Sequence, residues 1–263
     1  MRQRRLDLAA LWVNSSLGFA LGTVVALQAY QLGLVAAGLL LDREPVWYPD
    51  RVVFAATGSD VARSGGIVLV LLLGWALASI YRGGTRYDGT RLAVLWVMLH
   101  LFRQGLLALL RVPFDGESDA GLALASFDLP GSLNWLVAVL GAGGLVGIGL
   151  LAAPAFLRFA RHAEDLSSKH GRLVFLGTVG ILAWAVGALL ALPLLQAEGD
   201  PGAVSILPWS GVFLLFTMLA SLESRSIEPD REPVRLAWGA LVLLGLLIVV
   251  ARVFLTDGLA ISL

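Results

Sequence analysis

The chain has 263 residues, 58% of them hydrophobic and only 14% charged, too little charge to cover a soluble domain of this size. Basic and acidic residues balance at 19 each, so no basic patch points to nucleic acid. Cysteine is absent, which excludes disulfides, thiolate nucleophiles and cysteine-ligated metals.

Apolar runs recur along the whole length, at residues 6–41, 65–81, 92–110, 131–157, 173–195, 203–222 and 236–255. Helices of about 20 residues cross a hydrocarbon core of roughly 30 Å. The expected fold class is all-α: a single polytopic transmembrane helix bundle of about seven spans, with lipid as its first partner.

The first run is too long for one plain span and too short for two. A long tilted helix, or a helix preceded by an interfacial turn near Asn14, Ser15 and Ser16, fits it. The basic start at Arg2, Arg4 and Arg5 resembles a signal peptide, but no small-x-small cleavage site follows and the run is too long, so an uncleaved helix is expected. Within it, Gln28 and Gln31 lie one turn apart with Tyr30 beside them. Such amides either hydrogen-bond a neighbouring helix or form a ligand site. In the following loop, Val46-Trp47-Tyr48-Pro49 and Val52-Val53-Phe54 fit short strands at a membrane surface. Neither this loop (42–64) nor the one at 111–130 is long enough for a core of its own.

The third span holds the polar residues that a bilayer makes informative. Trp96, His100, Arg103 and Gln104 are spaced i, i+4, i+7 and i+8, so they share one helical face. A central arginine costs about 2.5–3.5 kcal/mol, while the eleven Leu, Val and Phe residues of this span return roughly 3–6 kcal/mol. The helix is then close to break-even, and its polar face must turn toward other helices or a wet cavity. Two readings follow: an ion, proton or substrate site, or a structural ion pair of Arg103 with Asp115, Glu117, Asp119 or Asp128. Those four acids make the next loop acidic. Their spacing matches no calcium loop, and a solvated loop is the default.

The fourth span contains Gly141-Ala142-Gly143-Gly144-Leu145-Val146-Gly147. Val146 stands where a dinucleotide loop needs its third glycine, and no strand precedes the run. Gly143 and Gly147 form a small-xxx-small pair suited to tight helix contact. Lys169 lies in a loop, so no span carries a retinal lysine. His162 and His170 also lie in that loop, which disfavours paired-histidine haem ligation, and no Gly-x-Ser-x-Gly elbow occurs.

Basic residues give the orientation. Arg2, Arg4 and Arg5, then Arg82, Arg86 and Arg91, then Arg158, Arg161, Lys169 and Arg172, then Arg225, Arg231 and Arg235 alternate in register with the spans. The opposite side holds only Arg43, Arg51, Arg63, Arg111 and Arg252. The N-terminus is expected on the cytoplasmic side of a cell membrane and the C-terminus outside.

The stretch Tyr30-Gln31-Leu32-Gly33-Leu34, with its trailing small and apolar residues, resembles the first conserved block of the site-2-type intramembrane zinc metalloproteases. That block reads His-Glu-Leu-Gly-His in the family and precedes a loop with short strands. Ser64-Gly65-Gly66 resembles the turn that opens the next span, and Ser118-Asp119-Ala120-Gly121 the element carrying the third zinc ligand. The resemblance covers about the first half of the chain. It places Tyr30 and Leu34 at the histidine positions, Gln31 at the catalytic glutamate and Asp119 at the third ligand. Tyrosine, leucine and glutamine cannot supply the ligands and base that zinc catalysis needs. The resemblance therefore implies a non-catalytic relative without metal or cofactor, acting by binding another membrane protein. The alternative is a small transporter or channel that uses His100, Arg103 and Gln104 with Gln28 and Gln31.

Overall fold

The computed structural model describes residues 2–54, 60–83, 87–128, 130–195, 201–223 and 235–261, with backbone alone at 2, 83, 193–195 and 201–209. Arg86, Arg225 and Arg231 lie outside the described residues. The chain is 79% helical with almost no strand. Among the described residues, five helices are long and apolar enough to cross a membrane, at Gln3–Leu40, Asp60–Arg82, Gly89–Arg111, Ser132–Leu157 and Lys169–Leu192. Ser210–Ser221 and Trp238–Phe254 are shorter apolar helices.

The first run forms one unbroken helix, α1 (Arg2–Leu40), 39 residues long and hence about 58 Å. Of the two readings of this run, the long helix is the observed one. Asn14, Ser15 and Ser16 make no interfacial turn; they are buried inside the helix. Each has a partner that explains its burial. Asn14 Nδ2 donates to the Arg235 carbonyl at 2.8 Å and Asn14 Oδ1 accepts from the Ala237 N–H at 2.9 Å. One side chain thus fastens the entry of a distant helix. Ser15 Oγ accepts from Trp96 Nε1 at 2.7 Å and donates to the Val179 carbonyl.

After α1 come the expected strands, β1 (Pro45–Trp47) and β2 (Val52–Phe54), paired antiparallel with Val46 opposite Val53. A 3₁₀ turn at Asp60–Arg63 leads into α2 (Ser64–Gly83), followed by α3 (Gly89–Arg111). Asp88 caps α3 by accepting from the Arg91 N–H. A short helix, α4 (Asp119–Ala125), is capped by Ser118. Next are α5 (Ser132–Leu157), the short α6 (Ala163–Ser167) and α7 (Lys169–Leu176). The chain widens into a π-helical turn at Gly177–Leu182 before α8 (Ala183–Leu195). Such a turn alters the hydrogen-bond ladder, and the Val179 carbonyl that takes the Ser15 hydroxyl lies within it. The helices α9 (Pro201–Ser221) and α10 (Trp238–Phe254) precede β3 (Leu259–Ala260), which pairs with β1 in the sheet order β2-β1-β3.

The core is centred on α1 and α3, whose mutual interface is the most extensive. Trp96 joins four helices: its ring lies 5.1 Å from Phe19, 5.0 Å from Phe156 and 6.4 Å from Phe213. Glycines permit the closest crossings. A Cβ on Gly22 would lie 2.6 Å from His100 Cδ2 and 2.8 Å from the Trp96 carbonyl oxygen, and one on Gly33 would strike the Gly65 carbonyl. On α5, the expected Gly143–Gly147 contact does not form among the described residues, since nothing lies within 4 Å of a Cβ at either position. Gly141 and Gly144 face α3 instead, where a Cβ on Gly141 would fall 2.6 Å from the Leu106 carbonyl oxygen. The spacing identified a small-residue helix, but the contact falls on a different side of it.

Candidate functional site: a cleft at the hairpin end of α1

The two ends of the bundle differ in chemistry. At one end, Arg4 pairs with Asp165 at 2.5 Å, His162 meets Asp7 at 3.0 Å, and Arg158 donates to the Tyr87 hydroxyl at 3.0 Å. Arg172 donates to the carbonyls of Ser221 and Leu222. The hairpin lies at the other end, and there α1, α3, α4, β2 and the β1–β2 turn enclose a cleft of about 420 Å³.

Leu27, Leu34, Leu107 and Ala108 line the apolar part of this cleft. Its polar lining comes from Tyr30, Gln31, Gln104 and Ser118, three arginines (Arg51, Arg63, Arg111) and four acids (Asp50, Asp115, Glu117, Asp119). The α3 residues Gln104, Leu107, Ala108 and Arg111 recur at helical spacing and so present one face to it.

Three of the four acids are held in ion pairs. Asp119 Oδ1 accepts from Arg63 Nη1 at 2.9 Å, and Asp119 Oδ2 accepts from the Tyr30 hydroxyl at 3.2 Å. Arg63 also donates to Asp60 at 3.0 Å, which fixes the guanidinium from its own 3₁₀ turn. Arg111 pairs with Asp115 at 3.1 Å, and Arg51 lies 3.6 Å from Asp50. Arg63 also lies over the ring of Phe54 in β2, 5.6 Å from its centre. Among the described residues, no three His, Asp or Glu side chains gather closely enough to hold a metal ion. Asp119 already accepts from two donors, so a cation there would have to displace Arg63.

Tyr30, Gln31, Leu34 and Asp119, the four positions of the zinc-site resemblance, all line this cleft. Gln28 and Gln31 hold the hairpin down: both donate to the Pro49 carbonyl, at 2.9 and 3.3 Å, and Gln31 Oε1 accepts from Trp47 Nε1 at 2.8 Å. Their partners are in the surface hairpin rather than in a neighbouring helix.

The polar residues of α3 divide. Gln104 turns into the cleft, whereas His100 and Arg103 are buried in the bundle, so the four residues do not act as one face. His100 stacks on Trp96 at 5.7 Å and meets the edge of Phe19 at 4.4 Å. Arg103 Nη1 donates to the Ser210 hydroxyl on α9. Among the described residues, Arg103 forms no ion pair with Asp115, Glu117, Asp119 or Asp128. Asp115 and Asp119 are engaged by Arg111, Arg63 and Tyr30 instead.

The sequence reading named Asp119 and Tyr30 but gave Arg63 no role beyond orientation. Its spacing to Asp60, i and i+3 before a helix start, was the available signal. Ser210 carried none, because the α3–α9 meeting joins segments 107 residues apart. No family model, no curated protein and no solved structure matches this chain.

Proposed function

We propose that the chain is a seven-span protein of a cell membrane, without catalytic activity, that binds a segment of another membrane protein in the hairpin-end cleft. This reading takes the first half of the chain as similar in sequence to the site-2-type proteases, with the metal chemistry lost. The observation that carries this reading is the Tyr30–Asp119–Arg63 contact. Where the family would set a histidine and an aspartate around zinc, a phenol bonds the carboxylate and a guanidinium supplies the positive charge. The site keeps a shape but has neither the ligands nor the base for a zinc-bound water.

Seven crossings are favoured over five by the two shorter apolar helices, and β3 is compatible with either odd number. Its pairing with β1 brings the end of α10 to the same end of the bundle as the end of α1. The bias of basic residues supports an N-terminus on the cytoplasmic side. The cleft then opens outside, with apolar walls for a side chain and paired charges for a polar backbone.

Two measurements on the purified full-length protein test the reading. Metal analysis is expected to find no stoichiometric zinc, and one zinc per chain would overturn the non-catalytic assignment. A photo-crosslinking amino acid at Gln104 or Glu117 is expected to capture a membrane protein in native membranes. Capture of lipid alone would defeat the binding role.

A second reading, a small transporter, is favoured by one observation. Arg103 is 1% exposed, and its one hydrogen-bond partner among the described residues is the neutral hydroxyl of Ser210.

A further inference from the structure

A guanidinium in the middle of a helix bundle requires charge compensation. Arginine cannot shed its proton as readily as other groups, and an isolated buried charge is among the most expensive features of a fold. Among the described residues, no carboxylate forms an ion pair with Arg103, whose printed partner is a hydroxyl. The Ser210 hydroxyl accepts one guanidinium hydrogen bond, but a hydroxyl carries no charge. The guanidinium Nε is buried without a partner.

His100 lies one turn earlier on α3, three residues before Arg103. It is fully buried, and among the described residues neither of its ring nitrogens has a hydrogen-bond partner. Every tautomer of an imidazole carries at least one N–H donor. Trp96, one further turn along, has its indole N–H satisfied by Ser15, so the unmatched groups in this part of α3 are those of His100 and Arg103. A ligand that satisfies both groups carries negative charge and accepts hydrogen bonds.

We infer that Arg103, Ser210 and His100 form a buried binding site for a small monovalent anion, a halide or a short carboxylate, between α3 and α9. The Ser210 oxygen accepts from Arg103, which leaves its own O–H free to donate to the anion. The guanidinium provides the charge, and an N–H of His100 supplies a third donor. Gln104, the next residue, lines the cleft, so the site lies one helix position behind the cleft wall. This inference does not depend on what the cleft binds.

The test is thermal unfolding of the full-length protein in detergent at constant ionic strength. Sodium chloride, bromide or formate is titrated against sodium gluconate, whose anion is too large for the site. A saturable rise in Tm is expected, about 4 °C at an anion concentration ten times Kd. Formate without halide response would assign the site to carboxylates, and the reverse to halides. Ser210→Ala, which keeps the arginine, should raise the half-saturation concentration about tenfold, the loss of one hydrogen bond. Arg103→Gln should abolish the response, whereas Arg111→Gln at the cleft rim should retain it. A Tm indifferent to all three anions, or a response unchanged in Ser210→Ala, would overturn the proposal even if Arg103→Gln fails to fold.

Discussion

The Tyr30 hydroxyl and the Asp119 carboxylate meet at 3.2 Å, although 89 residues separate them in the chain. That contact ties α4 to the middle of the cleft, and Arg63 completes it on the second carboxylate oxygen. Asp119→Asn keeps the shape but removes the charge that balances Arg63. Arg63 and Asp119 are each about one-quarter exposed, so solvent screening leaves a modest loss, about 1–2 kcal/mol. Reversible unfolding of the variant in detergent should show it. Arg63→Ala, which also loses the bond to Asp60, should cost less in the Asp119→Asn background than in the parent. Strict additivity would mean that the two groups do not act as a pair.

If the four cleft positions correspond to a lost zinc site, ligands should be restorable. Tyr30 and Leu34 are one turn apart on α1, the spacing of paired histidines on one helical face. Tyr30→His with Leu34→His, combined with Arg63→Ala to release Asp119, is expected to bind about one zinc per chain with a fourth position left to water. The parent protein, carried through the same purification, is expected to bind none. A folded triple variant with no zinc would show that the correspondence is linear only, without spatial meaning.

Most of the helical architecture was legible in the sequence, because each apolar run falls on a helix and Val46 and Val53 do form a hairpin. The details that escaped share a physical cause. When every face of a helix is apolar, no periodicity distinguishes the lipid side from the core side, so the contacting glycines of α5 could not be chosen by spacing. Trp96, His100, Arg103 and Gln104 span enough of the α3 circumference for Gln104 to face the cleft while Arg103 faces α9. Short helices such as α4 and α6 lack the length to show a pattern. The two strand residues at 259–260 are recognisable only through their partner β1.

The α1–α2 crossing depends on backbone touching backbone at Gly33 and Gly65. A Cβ on Gly65 would lie 2.5 Å from Ala37 Cβ as well as against the Gly33 carbonyl. Neither helix backbone can withdraw without moving a whole segment. Gly33→Ala and Gly65→Ala should each destabilise by about 1–3 kcal/mol or more. Gly143→Ala and Gly147→Ala, where a Cβ meets open space, should leave the melting temperature within a degree or two of the parent. Equal losses at both pairs would contradict the observed packing.

Gln31 is 1% exposed, and its side-chain oxygen accepts from Trp47. Trp47→Phe removes the donor and leaves a buried amide oxygen one partner short, at a cost of about 1–3 kcal/mol. Because the bond fixes the hairpin to α1, the loss should be local. Limited proteolysis is expected to cut between residues 42 and 54 faster than in the parent, with the rest of the bundle resistant. Unchanged cleavage would mean that Gln28, through its own bond to Pro49, anchors the turn alone.

The pairing of β3 with β1 makes a topological demand. The chain leaves α1 and α10 at the same end of the bundle, so an odd number of crossings must link the start of α1 to the end of α10. The natural absence of cysteine allows single labels to be introduced cleanly. Glu117 and Asp257 are exposed at the hairpin end, and Glu164 is exposed beside Arg4 at the other. With the N-terminus on the cytoplasmic side, a membrane-impermeant maleimide applied to intact cells should label Glu117→Cys and Asp257→Cys. Glu164→Cys should react only after lysis. Labelling of Glu164→Cys alone would invert the orientation while keeping the odd count. Opposite behaviour of the 117 and 257 positions would refute the seven-span reading, since β3 could not then reach β1.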